Sequence, residues 1–275
     1  MSPKPIVLLT GAAGKIGSHA RAYLRQRCQL RATDIIDLGT AMDGEETVIC
    51  DLADESATHQ LMEGVSAVVH LAGIPREAPI QAIAEANLVA AWNVYEAAKD
   101  ARTRRVIFGS TNHVIGFYSP EERLGTETPA RPDTLYGASK VFGEALARLF
   151  WDKHGIESVC LRIGSALERP TAPRHLSTWI SYDDLNELIW CSLTAERVGY
   201  TVAYGISDND RGWWDNSGAK HLGYRPRHRS EDFAAELGLG SAVTPAQIHT
   251  PEVRFQGGPW AANGYMTHAI PASRV

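Results

Sequence analysis

The chain has 275 residues, 44% of them hydrophobic and 21% charged, with a formal net charge of −5. That size and composition suit one large α/β domain, or a domain with a small second lobe, and exclude a disordered chain. The acidic balance argues against a nucleic-acid binder, which needs a basic face. The longest apolar runs, such as Ile6–Leu9, are too short to cross a bilayer. Met1-Ser2-Pro3-Lys4-Pro5 leads directly into a strand-like run and lacks the apolar segment of a signal peptide. Cys28, Cys50, Cys160 and Cys191 are widely spaced with no Cys-x-x-Cys pair. They read as thiols of a reducing cytoplasm, not as a disulfide frame or a zinc site.

In chain order, strands are expected at Ile6–Thr10, Leu30–Asp34, Thr47–Asp51, Ala67–Leu71, Arg105–Ser110 and Ser158–Ile163. Several are almost continuously apolar, as strands covered on both faces are. Helices are expected at Lys15–Arg27, Pro79–Lys99 and Leu135–His154, the last with Leu135, Phe142, Leu146 and Leu149 near helical spacing. This alternation predicts a Rossmann-like, doubly wound parallel sheet over residues 1–163, carrying cofactor and catalytic residues. Residues 164–275 read as a small substrate lobe, interleaved with the core, and a C-terminal arm. Within them a helix is expected near Tyr182–Leu193 and a strand near Thr201–Tyr204. The tail from about Gly238, with Pro245, Pro251, Pro259 and Pro271, reads as extended.

Thr10-Gly11-Ala12-Ala13-Gly14-Lys15-Ile16-Gly17 falls where the first strand becomes the first helix. Glycines there allow a tight turn and bring the helix N-terminus and its free N–H groups onto a pyrophosphate. Asp34 ends the second strand, where a carboxylate accepts from ribose hydroxyls and repels a 2′-phosphate. Ile35 and Ile36 follow, where an arginine would have received that phosphate. The pattern therefore favours NAD, with Lys15 near either phosphate. Asp51-Leu52 is expected beside the adenine and Leu71-Ala72-Gly73 under the cofactor.

Tyr136 and Lys140 are four apart, hence on one helical face. A tyrosine titrates near 10 unless a neighbouring cation favours the phenolate, which the Lys140 ammonium and a nicotinamide ring would do. Upstream, Gly109-Ser110-Thr111-Asn112 ends the fifth strand, so the Thr111 hydroxyl can meet Tyr136 above the nicotinamide.

With these motifs the sequence resembles the extended short-chain dehydrogenase/reductase family over most of its length. The resemblance implies that Thr111 orients the substrate hydroxyl, Tyr136 is the acid/base, and Lys140 binds the ribose and tunes the tyrosine. Asn87, in Asn87-Leu88-Val89-Ala90-Ala91-Trp92-Asn93, would support a proton relay to the lysine beside the cofactor. Threonine stands at 111 where the family more often has serine.

Further segments are similar to uronate dehydrogenases: Ser110–Gly116, Arg131–Gly137, Leu161–Ser165, Arg174–Trp179, Gly212–Asn216 and Val253–Gly258. That resemblance implies oxidation of the C1 hydroxyl of D-glucuronate or D-galacturonate with NAD to an aldarolactone, in a homo-oligomer. Pro75 departs from it, standing where a serine would offer the sugar a hydroxyl.

Arg174 is expected to bind the uronate carboxylate, its planar fork matching the anion, with Arg169 as competitor. Asn112 and His113 lie within reach of sugar hydroxyls, and Ser165 of substrate or nicotinamide. His70 reads as a hydrogen-bonded core residue and Trp213-Trp214 as packing. Trp260 is either packing or a closure of a neighbouring subunit's site. Asp208–Gly212 is no calcium loop, since Ala219 stands at loop position twelve, and no histidine spacing suggests a metal. Three other readings remain: an aldose or sugar-phosphate 1-dehydrogenase, an NAD-retaining nucleotide-sugar epimerase, and a non-catalytic dinucleotide sensor. The last conflicts with the intact Thr111, Tyr136 and Lys140.

Overall fold

A computed structural model describes residues 5–236, 238 and 250–265. Seven parallel strands form one sheet: β1 (Ile6–Thr10), β2 (Gln29–Asp34), β3 (Glu45–Ile49), β4 (Val65–His70), β5 (Arg105–Thr111), β6 (Glu157–Ile163) and β7 (Tyr200–Gly205). Their order across the sheet is β7-β6-β5-β4-β1-β2-β3. The order reverses between β1 and β4, and ligands bind beyond the carboxyl ends of strands at such a switch. Leu8 and Leu9 show why the central strands are apolar throughout. Successive side chains point to opposite faces, so Leu8 joins Val68, Phe108 and Phe150 on one side, and Leu9 joins Val69, Ile107 and Leu161 on the other.

The helices are α1 (Lys15–Leu24), α2 (Glu55–Leu61), α3, α4 (Leu135–His154) and α5 (Tyr182–Thr194). In α3, the α-helical segments Ile80–Ile83 and Ala90–Asp100 flank a π-helical stretch, Ala84–Val89. Helix α4 has the expected ends because both are written locally. Thr134 caps the first turn by accepting from Gly137 N, and Gly155 closes the last at φ +71°. Its apolar positions are divided, however: Leu146 is buried, whereas Phe142 and Leu149 face solvent.

Expectations change at the third strand and in the tail. β3 ends at Ile49, two residues early, because the Asp51 carboxylate accepts from Ala53 N in a turn. The strand expected near Thr201–Tyr204 is Tyr200–Gly205 and pairs with Glu157–Ile163, so the chain after residue 163 returns to the main sheet. The tail is not extended where it is described. Short helices at Pro251–Arg254 and Pro259–Ala262 flank a wholly buried Gln256, which anchors the segment to the lobe. Pro245 and Pro271 lie outside the described residues. Among those residues, no helix is long and apolar enough to cross a membrane.

Candidate active site

The loop after β1 meets the loop after β4 at the switch point. A Cβ on Gly11, whose φ is +71°, would stand 2.7 Å from Ala72 N, and one on Gly17 would collide with the Gly11 carbonyl. Both contacts require glycine and together fold the chain into a backbone cradle that suits a pyrophosphate. Gly14 caps α1, and Lys15 and Ile16 open its first turn, with Lys15 exposed.

Asp34 turns back onto this loop, Oδ2 accepting from Ala13 N at 2.9 Å and Oδ1 from Ile35 N at 2.8 Å. A carboxylate has about four acceptor positions, so two remain for ribose hydroxyls. Ile35 and Ile36 are exposed beside it. Leu52 is buried next to Asp51, and Leu71, Ala72 and Gly73 leave the end of β4. These residues fit a dinucleotide whose 2′-hydroxyl is free.

The catalytic candidates come from β5 and α4. Ser110 Oγ donates to Glu144 at 2.7 Å, and Arg162 donates to both oxygens of that carboxylate at 3.0 and 2.8 Å. This buried cluster locks α4 to β5 and β6, so Thr111 and Tyr136 keep their places. Thr111, Tyr136 and Lys140 are all buried. Burial pushes the Tyr136 phenol up to about 12, with the Thr111 hydroxyl drawing it partly back. Burial also lowers Lys140, to about 8. The Lys140 Nζ stands 6.0 Å from the Tyr136 ring centroid and 4.9 Å over Phe108. An ammonium so placed favours the phenolate.

Asn87 lies in the π-helical stretch and braces the loop after β4. Its Oδ1 accepts from Ile74 N at 2.7 Å, while Nδ2 donates to Ile74 O and Ser139 Oγ. It therefore holds the loop bearing exposed Pro75 to the helix bearing Tyr136. Glu77 adds a second tie that the sequence did not suggest, accepting from Tyr136 N at 3.1 Å.

On the other wall, His113 Nδ1 meets both oxygens of Asp133, at 3.0 and 2.8 Å. The carboxylate accepts, so Nδ1 carries the proton and Nε2 is the nitrogen left for a ligand. Asp133 was not singled out in the sequence, although it lies in the Arg131–Gly137 segment.

Arg174 lies beside Asn112 and Ser165, and all five of its N–H donors are engaged. Nε and Nη2 donate to the Gln256 carbonyl at 2.9 and 2.6 Å, and Nη1 to Ser165 Oγ and Thr178 Oγ1 at 3.2 and 3.3 Å. With the Asn112 amide oriented to satisfy both neighbours, its oxygen accepts from Nη2 at 2.9 Å and its nitrogen donates to Ile163 O. Every hydrogen-bond acceptor is neutral, and desolvation lowers the guanidinium to about 10, with the nearby Asp133 carboxylate drawing it partly back. Arg169, the competitor, is exposed and pairs with Glu236 at 3.6 Å.

Trp260 stacks over its own chain's site, its ring centroid 4.7 Å from His113 and 6.1 Å from Tyr136. Trp214 packs on Tyr204, while the Trp213 ring faces the Arg174 guanidinium at 5.9 Å. His70 is buried and bonded to Thr10 Oγ1 at 2.9 Å. Asp210 pairs with Arg229 at 2.6 Å.

Comparison with known proteins bears on this arrangement. Residues 7–197 match the NAD dependent epimerase/dehydratase family. The chain is 44% identical to a uronate dehydrogenase of Pseudomonas syringae pv. tomato, over 94% of each protein. A glucuronic acid dehydrogenase structure from Chromohalobacter salexigens superposes with a TM-score of 0.90 at 41% identity, covering 94% of this chain and 97% of that one. A mutant uronate dehydrogenase of Agrobacterium tumefaciens, complexed with NAD, does so with a TM-score of 0.88 at 42% identity, covering 94% and 97%.

Proposed function

We propose, from the premise that this chain belongs to the NAD dependent epimerase/dehydratase family and stands among its uronate dehydrogenases, that it oxidises C1 of a hexuronate to the aldarolactone. It is an NAD-dependent oxidoreductase acting on D-glucuronate or D-galacturonate. The observation that carries the reading is Arg174, a half-buried guanidinium beside Asn112 and Ser165 whose hydrogen bonds all go to neutral acceptors. A half-buried cation bonded to neutral groups, with the Asp133 carboxylate committed to His113, is incompletely paired, and a substrate carboxylate completes it. The Nη1 contacts to Ser165 and Thr178 are the longest, so the carboxylate enters there, accepting from Nη1 and the Ser165 hydroxyl.

Residues 1–163 hold the dinucleotide and residues 164–275 complete the sugar site. Gly11, Gly14, Lys15, Ile16 and Gly17 cradle the pyrophosphate, and Asp34 takes the ribose hydroxyls. Asp51 and Leu52 flank the adenine, while Leu71, Ala72 and Gly73 lie beneath. His113 and Asn112 face the sugar hydroxyls, and Pro75 removes a hydroxyl from the opposite rim. Bound NAD supplies the hydride acceptor. Thr111 orients the C1 hydroxyl, and Tyr136 Oη, drawn to phenolate by the Lys140 ammonium and the nicotinamide cation against the burial that raises it, takes its proton, so that loss of hydride from C1 leaves a lactone carbonyl. Lys140 keeps the phenolate charged, holds the nicotinamide ribose and, with Asn87 supporting its surroundings, passes the proton outward.

The finer reading includes assembly and place. Val89 and Trp92 on α3, with Phe142 and Leu149 on α4, leave large apolar side chains facing solvent. A second copy covering them makes a homo-oligomer. Four thiols with no Cys-x-x-Cys pair suit the cytoplasm. A screen of NADH formation with hexuronates, neutral aldoses and sugar phosphates tests the function. Uronates should turn over fastest. Faster turnover of a sugar phosphate or a neutral aldose instead makes the protein that sugar's 1-dehydrogenase.

A further inference from the structure

Gln256 is a polar side chain buried completely near the end of the chain. Its Oε1 accepts from Trp214 Nε1 at 2.8 Å, and its Nε2 donates to the carbonyls of Ser119 and Glu122 at 2.9 and 3.0 Å. Its backbone N–H donates to Tyr118 O at 2.8 Å, and that of Gly257 to Gly116 O at 2.8 Å. With both the amide and the backbone N–H fixed, the Gln256 carbonyl faces Arg174 and accepts from two of its nitrogens. The next two residues are glycines because the segment lies against the site itself. A Cβ on Gly257 would collide with the Asp133 carboxylate, and one on Gly258, at φ +65°, would stand 2.7 Å from Arg174 Cδ.

We propose that Gln256 is a positioning residue that sets the Arg174 fork for the substrate carboxylate, and so determines preference for a sugar acid over the matching neutral sugar. The inference rests on the reading of Arg174 given above. A long arginine side chain has many rotamers, and reading a carboxylate at a fixed place requires that one be held before substrate arrives. The Gln256 carbonyl holds the Nε edge and leaves the Nη1 end toward Ser165. It does so without neutralising the guanidinium. A carboxylate in the carbonyl's position would grip the fork equally well, but would cancel the charge that the substrate must meet. The amide therefore gives the C-terminal segment a part in substrate choice, although Gln256 itself touches no substrate.

The test compares kcat/KM for a hexuronate with that for the corresponding aldohexose at saturating NAD, in Arg174→Ala, Gln256→Leu, the double variant and Gly258→Ala. Gln256→Leu removes the anchoring amide, and the uronate-to-aldohexose ratio should fall about tenfold, mainly through KM for the uronate. In the Arg174→Ala background, the same change should alter the ratio less than about twofold, since the group it positions is gone. Gly258→Ala presses on Arg174 with the anchor intact and should lower the ratio as well, which carries the test should Gln256→Leu fail to fold. If Arg174→Ala lowers the ratio but Gln256→Leu and Gly258→Ala reduce both substrates alike, the positioning role is overturned and the reading of Arg174 stands. A Gln256→Leu effect that persists undiminished without Arg174 also overturns the positioning role. An unchanged ratio in Arg174→Ala alone overturns the reading of Arg174 itself, and the inference with it.

Discussion

The dinucleotide side of the cleft and the sugar side are assembled by opposite means. On the first, the consecutive residues Gly11–Gly17 form a cradle of backbone, shaped by contacts inside the loop and with the end of β4. On the second, side chains do the holding over long stretches of chain. Arg174 is held from Gln256, 82 positions away, and His113 from Asp133, 20 positions away. Away from Gly11 and Gly17, a backbone cradle is indifferent to most side chains, whereas a half-buried charge held by a few neutral groups depends on each of them. Single substitutions should therefore cost more on the sugar side than on the dinucleotide side.

The largest effect is expected at the reacting centre. Tyr136→Phe removes the proton acceptor and should lower kcat about 10²–10⁴-fold, with NADH affinity by fluorescence titration kept. Near-full turnover with hydride transfer still limiting would refute the assignment. Next comes Arg174→Ala, which should lower uronate kcat/KM by about 30-fold or more, from a loss of roughly 2–5 kcal/mol. Neutral sugars should lose far less; equal losses would mean that the carboxylate is read elsewhere.

His70 sharpens the contrast, since it ends β4 and is bonded to Thr10, just before the glycine cradle. Burial holds its imidazolium down at about 3, against 6.5 for the free group. The unfolded chain thus takes up this proton first. The stability due to neutral His70 is complete above about pH 6.5 and is lost progressively as the pH falls toward about 3. Between about pH 7 and pH 5 the loss is about 2 kcal/mol. Urea unfolding at both values should show it, and His70→Gln should reduce it; an equal loss in the variant would exclude His70 as the source. The smallest effect is expected on the dinucleotide side. Asp34→Ala should lower the kcat/KM preference for NAD over NADP about tenfold, because hydrogen bonds to a partly exposed carboxylate are worth little more. An unchanged preference would break the contrast as drawn.

Legibility follows the same division. Helix α4 was readable to both ends because Thr134 and Gly155 are local signals. Asp34, Tyr136 and Lys140 were readable because strand ends and a four-residue spacing fix their place. The π-helical stretch at Ala84–Val89 was not, since one added residue per turn hardly disturbs an apolar pattern. Phe142 and Leu149 share the helical spacing of Leu146 yet face outward, because periodicity marks an apolar stripe without saying what covers it.

The sequence by itself determined the parallel sheet, the glycine cradle, the acid at the end of β2, and the pairing of Tyr136 with Lys140. Each is set by residues a few positions apart, where chain geometry leaves little choice. Only the tertiary structure decided that Asp133 orients His113, that Asn87 braces the Pro75 loop, and that a proline- and glycine-rich tail turns back to hold Arg174. Those contacts join residues with no fixed spacing. They form where burial leaves a polar group in need of a partner, and the partner is whichever acceptor the packed chain brings within reach.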